Sequence, residues 1–542
     1  MTKHVGAAAD AFTDATDYVV KAEAPVPITA SKQNIAAKPA VKKRAQRTTP
    51  PGEVDAPVKK PRARAPKTDP ISIMVRETED AGKQTLVFVN AKRSAESVAE
   101  DLAQAREARH PLIAKKILRA LSSPTTQCRR LAFCVERGTA FHHSGLSSAQ
   151  RRIVEEEFLS GNLTAICATP TLAAGVNVPA FRVIIRDLHR FEGYMTEIPV
   201  LEYRQMIGRA GRPDFHDDYG EAITIAKSPG DGAWIEDRYW NGTPEPIYSK
   251  LSNLPALRMA VLSLYATRFV RSREELFVFF SKTFFAHQYG NITKLEEKLI
   301  DVEIQLTGWG FLSSVGGAAS ATPMGRRVSM LYIDPLSASI LIAGIESKKP
   351  RTDAAIAHLL CSCIELRPLL RLKTSDFVSA DAAIDTLLPE PSMFSAEYEE
   401  FLQAAKTSAM LGKWMDEAPE ETILAEYGVR PGELKAKLDT ADWLLYGMSE
   451  LAQLLGAERR EFIRARIRMK HGVKAELVPL LRMRGIGRVR ARALFNNGLT
   501  SLQLINAAPE TKLAALLGVK VAARVKEQLA GGGLPSKQRE KR

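Results

Sequence analysis

From residue 84 the chain alternates two patterns. QTLVFVN is a short run of apolar and β-branched residues, and the RSAESVAEDLAQA that follows reads as helix. Runs of the first kind return in LTAICAT (163–169), RVIIR (182–186) and EAITIA (221–226). Short unbroken apolar runs separated by helical stretches predict buried strands of a parallel sheet, and so an α/β domain over 71–228.

Beyond 250 the spacing turns helical. Ser272 with Glu275, and Thr293 with Glu296, have the spacing of capping boxes. After the second, Leu295, Leu299, Val302 and Leu306 fall on one helical face. The glycines and turn residues of GWGFLSSVGGAASATPMGRR end that helix and suit a hairpin. Helices followed by a small hairpin predict a winged-helix domain over 229–330, with DNA contact left open.

Residues 331–456 read as a helical bundle. In its last helix Leu434, Leu438, Ala441, Leu445, Met448, Ala452 and Leu455 make a core stripe. Trp443 faces away from that stripe, on a face whose other residues are the small Ala436, Thr440 and Gly447. Such a tryptophan either stacks on a nucleobase or packs against a neighbouring domain. In LLRMRGIGRVRARALFNNGL (480–499), two helices flank the turn Gly485-Ile486-Gly487, a helix-hairpin-helix in a DNA-binding domain over 457–542. The glycines let the turn approach a phosphate, the next helix offers its N-terminal amides, and Arg488, Arg490 and Arg492 add charge. LLGVKVAARV (516–525) reads as a degenerate second copy.

Charge changes the picture by naming a partner class. The net charge of +14 and pI near 9.4 point to a polyanion. Residues 1–68 hold 13 Lys/Arg against six Asp/Glu, about half of that surplus. Rich in Ala, Pro and Lys, residues 1–70 are expected to form a disordered basic arm. The five cysteines lack zinc-ligand spacing and fit a reduced compartment. No apolar run approaches 18 residues and no signal pattern opens the chain, so a cytoplasmic, nucleoid-associated protein without a membrane partner is expected.

The candidate chemistry lies in the α/β region. EYRQMIGRAGRP (202–213) sets Arg209 and Arg212 three apart, with Gly208 and Gly211 leaving room for close approach. Guanidinium groups stay charged and donate in a fork, which suits phosphoryl oxygens and the charge that develops on a transferred phosphoryl group. In ATPTLAAGVNVPA (168–180), Thr169 and Thr171 sit at the carboxyl end of a strand, where α/β sheets place ligands, and Gly175 and Asn177 suit a nucleotide-facing loop. His142 and His143 in FHHSGLSSAQRR suggest metal, but no carboxylate or cysteine is spaced to join them, so no metal is expected.

Taken in order, TLVFVNAKRSAE, AFHHSGL, ATPTLAAGVNVPA, RVIIRDLHRFEGY and EYRQMIGRAGRP resemble the second RecA-like motor domain of superfamily-two helicases. The chain is most similar to archaeal Ski-type DNA repair helicases, relatives of the helicase part of DNA polymerase theta, over about 71–530. The resemblance implies a 3′-to-5′ translocase acting on single-stranded and forked DNA at stalled forks, with ATP and Mg²⁺. It implies that Gln205, Arg209 and Arg212 engage ATP, that Gly175 and Asn177 couple nucleotide to DNA, and that Thr169 touches a strand phosphate. It places a strand-separating hairpin at 186–202, with His189, Phe191 and Tyr194, and makes Trp443 a base-stacking ratchet residue. Where relatives can carry an arginine, this chain has Ala436 between Lys435 and Lys437, which implies a looser grip on the backbone.

The family's first motor domain, with its P-loop and acidic metal-binding box, is not found in the 542 residues. Gly82-Lys83 and Gly412-Lys413 lack the rest of a P-loop, and Asp416-Glu417-Ala418-Pro419 falls in a helical bundle rather than after a buried strand. Without P-loop amides and a Mg²⁺-holding acid, the chain alone is expected not to hydrolyse ATP. The expectation is a helicase whose P-loop domain is supplied separately. The alternatives are a non-catalytic DNA clamp and a decayed copy.

Overall fold

The first domain is built on five parallel strands: β1 (Thr85–Phe88), β2 (Thr139–His142), β3 (Ala165–Ala168), β4 (Arg182–Ile185) and, after a small hairpin, β7 (Glu221–Thr224). Their order in the sheet is β2-β3-β1-β4-β7. Every residue of β1, β2 and β3 is buried, so both faces of the sheet are covered there. That is why β1 and β3 read as unbroken apolar runs rather than alternating ones. Strand β2 escaped the sequence reading because TAFH is short and half polar. Its Thr139 hydroxyl is satisfied by the Ala99 carbonyl at 3.2 Å.

Strand β1 is central. The chain leaves β3 on one side of it and returns as β4 on the other. Ligands of open α/β sheets gather at the carboxyl ends of strands beside such a reversal. Between β4 and β7 the antiparallel hairpin β5 (His189–Phe191) and β6 (Met195–Glu197) projects from the sheet. The core of this domain runs from Ile71 to Tyr239.

This computed structural model describes residues 69–121, 123–173, 176–191, 194–211, 217, 219–315, 318–373, 376 and 384–530. The expected basic arm, except its last two residues, lies outside the described residues. So do Gly175 and Arg212.

Among the described residues that follow, the regular elements are helices apart from one hairpin. Ser272 caps the helix Arg273–Ser281, accepting from the Glu275 amide at 3.3 Å. The next expected cap is corrected: Asn291, not Thr293, caps Ile292–Gly308, accepting from Lys294 at 3.1 Å. Thr293 lies inside that helix, which starts earlier than the box spacing implied. Leu295, Leu299, Val302 and Leu306 are buried together as their spacing predicts. The antiparallel pair β8 (Leu312–Val315) and β9 (Ala318–Ala321) follows.

A single core runs on from Leu257 to Met469, joining the segment that ends in β8–β9 to the helices after it. At its centre is the long helix Pro431–Leu454, roughly 36 Å from end to end. The expected stripe is buried, except that Leu455 ends the helix and stays 37% exposed. Leu444, Gly447 and Leu451 are buried too, so the helix is covered on more than one side. The helix Arg460–His471 packs into this core through Phe462, Ala465 and Met469. A third core takes in Val473 to Val525. Among the described residues no single helix is long and apolar enough to cross a membrane.

Candidate nucleotide and DNA interface

Gln205 and Arg209 are set by one short helix. Val200–Ile207 carries Gln205 on an exposed face and ends at Gly208. Arg209 follows immediately, half-buried. Its Nη2 donates to the carbonyl of Ala173, in the turn after β3. Backbone bonds fasten the same loops: Ala180 donates to the Arg209 carbonyl at 3.0 Å, and Gly211 donates to Ala180 at 2.8 Å. The arginine-bearing loop and the 169–180 loop therefore form one unit. Arg209 is partly exposed and carries further N–H donors besides the one on Ala173.

In that second loop, Thr169 is buried at the carboxyl end of β3, with its amide on the His142 carbonyl at 3.2 Å. Its hydroxyl lies 3.0 Å from that of Thr171, which is exposed. Asn177 is exposed as well.

The helix is also tied to the hairpin. Arg190 of β5 donates from Nη1 to Glu202 at 2.6 Å, one turn before Gln205. Phe191 is 61% and Tyr194 72% exposed at the far end of the hairpin. His189 is exposed but stacked on Trp234, rings 5.5 Å apart. A cavity of about 470 Å³ opens at the hairpin's root, lined in part by Asn90, Arg186, Asp187, His189, Lys227 and Trp234. Arg371, 180 residues on from Phe191, lies 5.9 Å from its ring. No local sequence signal marks Arg371, because only the fold brings these segments together.

Trp443 does not stand on a bare face. Its Nε1 donates to the Leu331 carbonyl at 3.0 Å, and its ring is half-buried against the large core. The small face beside it is filled: a Cβ on Gly447 would meet Ile333 at 2.3 Å. Lys435 is exposed and paired with Asp439 at 2.6 Å. Lys437 donates to the carbonyls of Leu366 and Pro368 at 3.0 and 2.6 Å, and burial lowers its pKa.

The turn at Gly485 has φ +87°, and Gly487 precedes the helix Arg488–Asn496. Two of its three arginines are engaged within the protein. Arg488 lies 4.9 Å from the Trp414 ring and donates to Ala418 at 2.9 Å. Arg492 forks onto Glu417 and reaches Glu476 at 2.8 Å. Arg490 is exposed and donates to the nearby Gly485 carbonyl at 2.8 Å. The acidic stretch 416–417 is thus part of an interdomain junction, with Asp416 on Arg468 at 3.1 Å.

His142 and His143 each face a carboxylate. His142 Nε2 lies 2.8 Å from Glu155, and buried His143 lies 3.2 Å from Glu96. Among the described residues no three His, Cys, Asp or Glu side chains converge to hold a metal ion. The donors present, a guanidinium and an exposed amide, fit the phosphate end of a nucleotide and not the metal beside it.

A parallel α/β domain with paired loops of this kind is the C-terminal motor-type domain of a helicase: residues 69–214 match the helicase conserved C-terminal domain, and 354–472 match archaeal helicase domain 4. The ATP-dependent DNA helicase Hel308 of Methanocella arvoryzae is 39% identical over 482 residues, which is 85% of this chain and 65% of that protein. The Hel308 proteins of Methanococcus vannielii and Pyrococcus abyssi are each 36% identical, over 82% of this chain. Over most of its length the chain is thus a homologue of archaeal Hel308-type superfamily-two DNA helicases. It spans 64–65% of the length of these relatives.

Proposed function

We propose that this chain supplies the DNA-gripping and nucleotide-sensing part of an ATP-dependent, 3′-to-5′ DNA helicase that opens forked DNA at stalled replication forks. It does so together with a P-loop motor lobe. One observation carries the reading: a single helix, Val200–Ile207, bears Gln205, runs into Arg209, and is ion-paired through Glu202 to the exposed hairpin. A shift at the phosphate end of a nucleotide would reach both the Thr169–Thr171 turn, through Ala173, and the hairpin, through Arg190. Arg209 would hold the terminal phosphate and offset the charge that develops there. When bound, Mg²⁺ would neutralise the phosphates opposite; its ligands would come from the P-loop lobe. Phe191 and Tyr194 would act as the wedge at the strand junction. The two-helix turn at Gly485–Gly487 and the segment ending in β8–β9 are read as a helix-hairpin-helix and a winged helix that hold the duplex and its tail.

Mixing the full chain with the P-loop lobe of a Hel308 relative tests this reading. DNA-stimulated ATP hydrolysis and fork unwinding should appear only in the mixture. Phe191→Ala with Tyr194→Ala should then cut unwinding at least tenfold and leave hydrolysis within twofold. Salt-sensitive fork binding that ignores ATP and the added lobe would instead identify a clamp.

A further inference from the structure

The start of the long helix is fastened to the α/β domain by a junction that the helicase reading does not use. Glu96, 2% exposed, is its centre. Arg130 donates to one carboxylate oxygen; Arg430, capping the long helix, donates to the other at 3.1 Å, with His143 3.2 Å from that same oxygen. Around this knot the backbones touch. Gly432 donates to the Gly145 carbonyl at 3.0 Å, and a Cβ on Gly432 would lie 2.2 Å from the Leu146 oxygen. A Cβ on Gly145 would lie 2.3 Å from the Arg430 side chain. Neither position has room for a side chain. Two outer ties flank them: Lys92 with Glu433, and Glu421 with the backbone amide of Thr126 at 2.6 Å.

The junction lies more than 300 residues apart in sequence, between Glu96 and Arg430. A buried carboxylate held by two guanidiniums cannot slide without leaving a charge uncompensated, and close-packed glycine backbones have no slack. Relative motion is the default across interdomain surfaces that lack such fastening.

We propose that the Glu96–Arg430 junction is a rigid joint that makes the α/β domain and the long helix move as one body. On the function proposed above, it would deliver nucleotide-driven displacement of the α/β domain directly to the helix that carries Trp443. Arg430 and Gly432 are then positioning residues, remote from nucleotide and from the strand junction.

Spin labels at Lys115→Cys and Asp439→Cys, one on each side, read the joint without any helicase activity. The full chain should give one narrow distance distribution. Arg430→Ala and Gly432→Val, which break the joint by loss of charge and by backbone collision, should each broaden it or add a second population. Circular dichroism would confirm that both remain folded, and Arg430→Lys should restore much of the narrow distribution. An unchanged distribution in both folded variants overturns the joint, whatever their activity. In the mixture with a P-loop lobe, the variants should unwind forks at least tenfold more slowly with ATP hydrolysis within twofold. Loosened variants that unwind normally overturn the transmission role. If loosening is seen but even the unaltered chain shows no ATP-dependent activity, the joint stands and the helicase reading is what fails.

Discussion

Arg209 donates its Nη2 hydrogen to the carbonyl of Ala173, so this arginine of the expected phosphate site is already anchored to the loop that follows β3. Its remaining N–H groups are the part a phosphoryl group needs. Arg209→Ala should lower DNA-stimulated ATP hydrolysis of the reconstituted enzyme by a factor of about 10³ or more, the scale of a lost arginine finger. Arg209→Lys should recover little, because an ammonium cannot both hold Ala173 and fork onto phosphate. Fork binding without nucleotide should change less than threefold in either variant. Hydrolysis that survives Arg209→Ala would remove this residue from the nucleotide site.

Trp443 separates packing from stacking. Trp443→Phe removes the bond to Leu331 but keeps an aromatic face, and should cost about 1 kcal/mol in stability with single-strand affinity within twofold. Trp443→Ala should cost about 2 kcal/mol or more, because the ring is half-buried in the large core. If the exposed edge stacks a base, the same change should also weaken single-strand binding about tenfold. Melting curves and fluorescence anisotropy on the two variants read the two effects apart. Affinity unchanged in Trp443→Ala would leave the residue to packing alone.

How much of this was legible in the sequence depended on how local the cause was. Four of the five sheet strands showed themselves as apolar and β-branched runs, two of them buried on both faces and β7 not fully buried at any residue. The fifth, TAFH, carries two polar residues whose partners are supplied by distant segments. Leu295 to Leu306 could be read because a helix stripe is a local period. Trp443 could not be decided, because Ile333 and Leu331, which fill the space beside it, lie more than 100 residues away. The arginines of the 488–492 helix looked alike in sequence. Only the placement of Glu417, Ala418 and Trp414 divides them into engaged and exposed.

That division gives a prediction. Arg490 faces solvent, so Arg490→Ala should weaken fork binding severalfold and lower the salt slope by about one, with no structural change. Arg492 holds Glu417 and Glu476, so Arg492→Ala should loosen the C-terminal domain from the helical body. Limited trypsin digestion near residue 473 should then run faster in Arg492→Ala and unchanged in Arg490→Ala. Equal digestion of both would mean that Arg492 does not secure the domain.

Acid should weaken the junction through Glu96 as the pH falls below the ordinary carboxylate value. Burial by itself would raise its pKa, but the adjacent His143 imidazole and the charges of Arg430 and Arg130 outweigh that and hold it at about 2. A carboxylate whose folded value is depressed stabilises the fold fully above its unfolded value, near 4.5, and loses that contribution as pH falls toward 2. The contribution at neutral pH is on the order of 3 kcal/mol. His143 pulls in the same direction: burial lowers its pKa, so acid favours the unfolded chain, where the imidazole protonates freely. Its share is lost as pH drops below about 6.5, before that of Glu96. Urea unfolding at pH 7, 5, 4 and 3 should show Glu96→Gln less stable than the unaltered protein by about 3 kcal/mol at pH 7. That gap should hold down to pH 5 and shrink between pH 4 and 3, as the unaltered carboxylate loses its advantage. A gap that stays constant across all four values would mean that Glu96 is not held ionised by its neighbours.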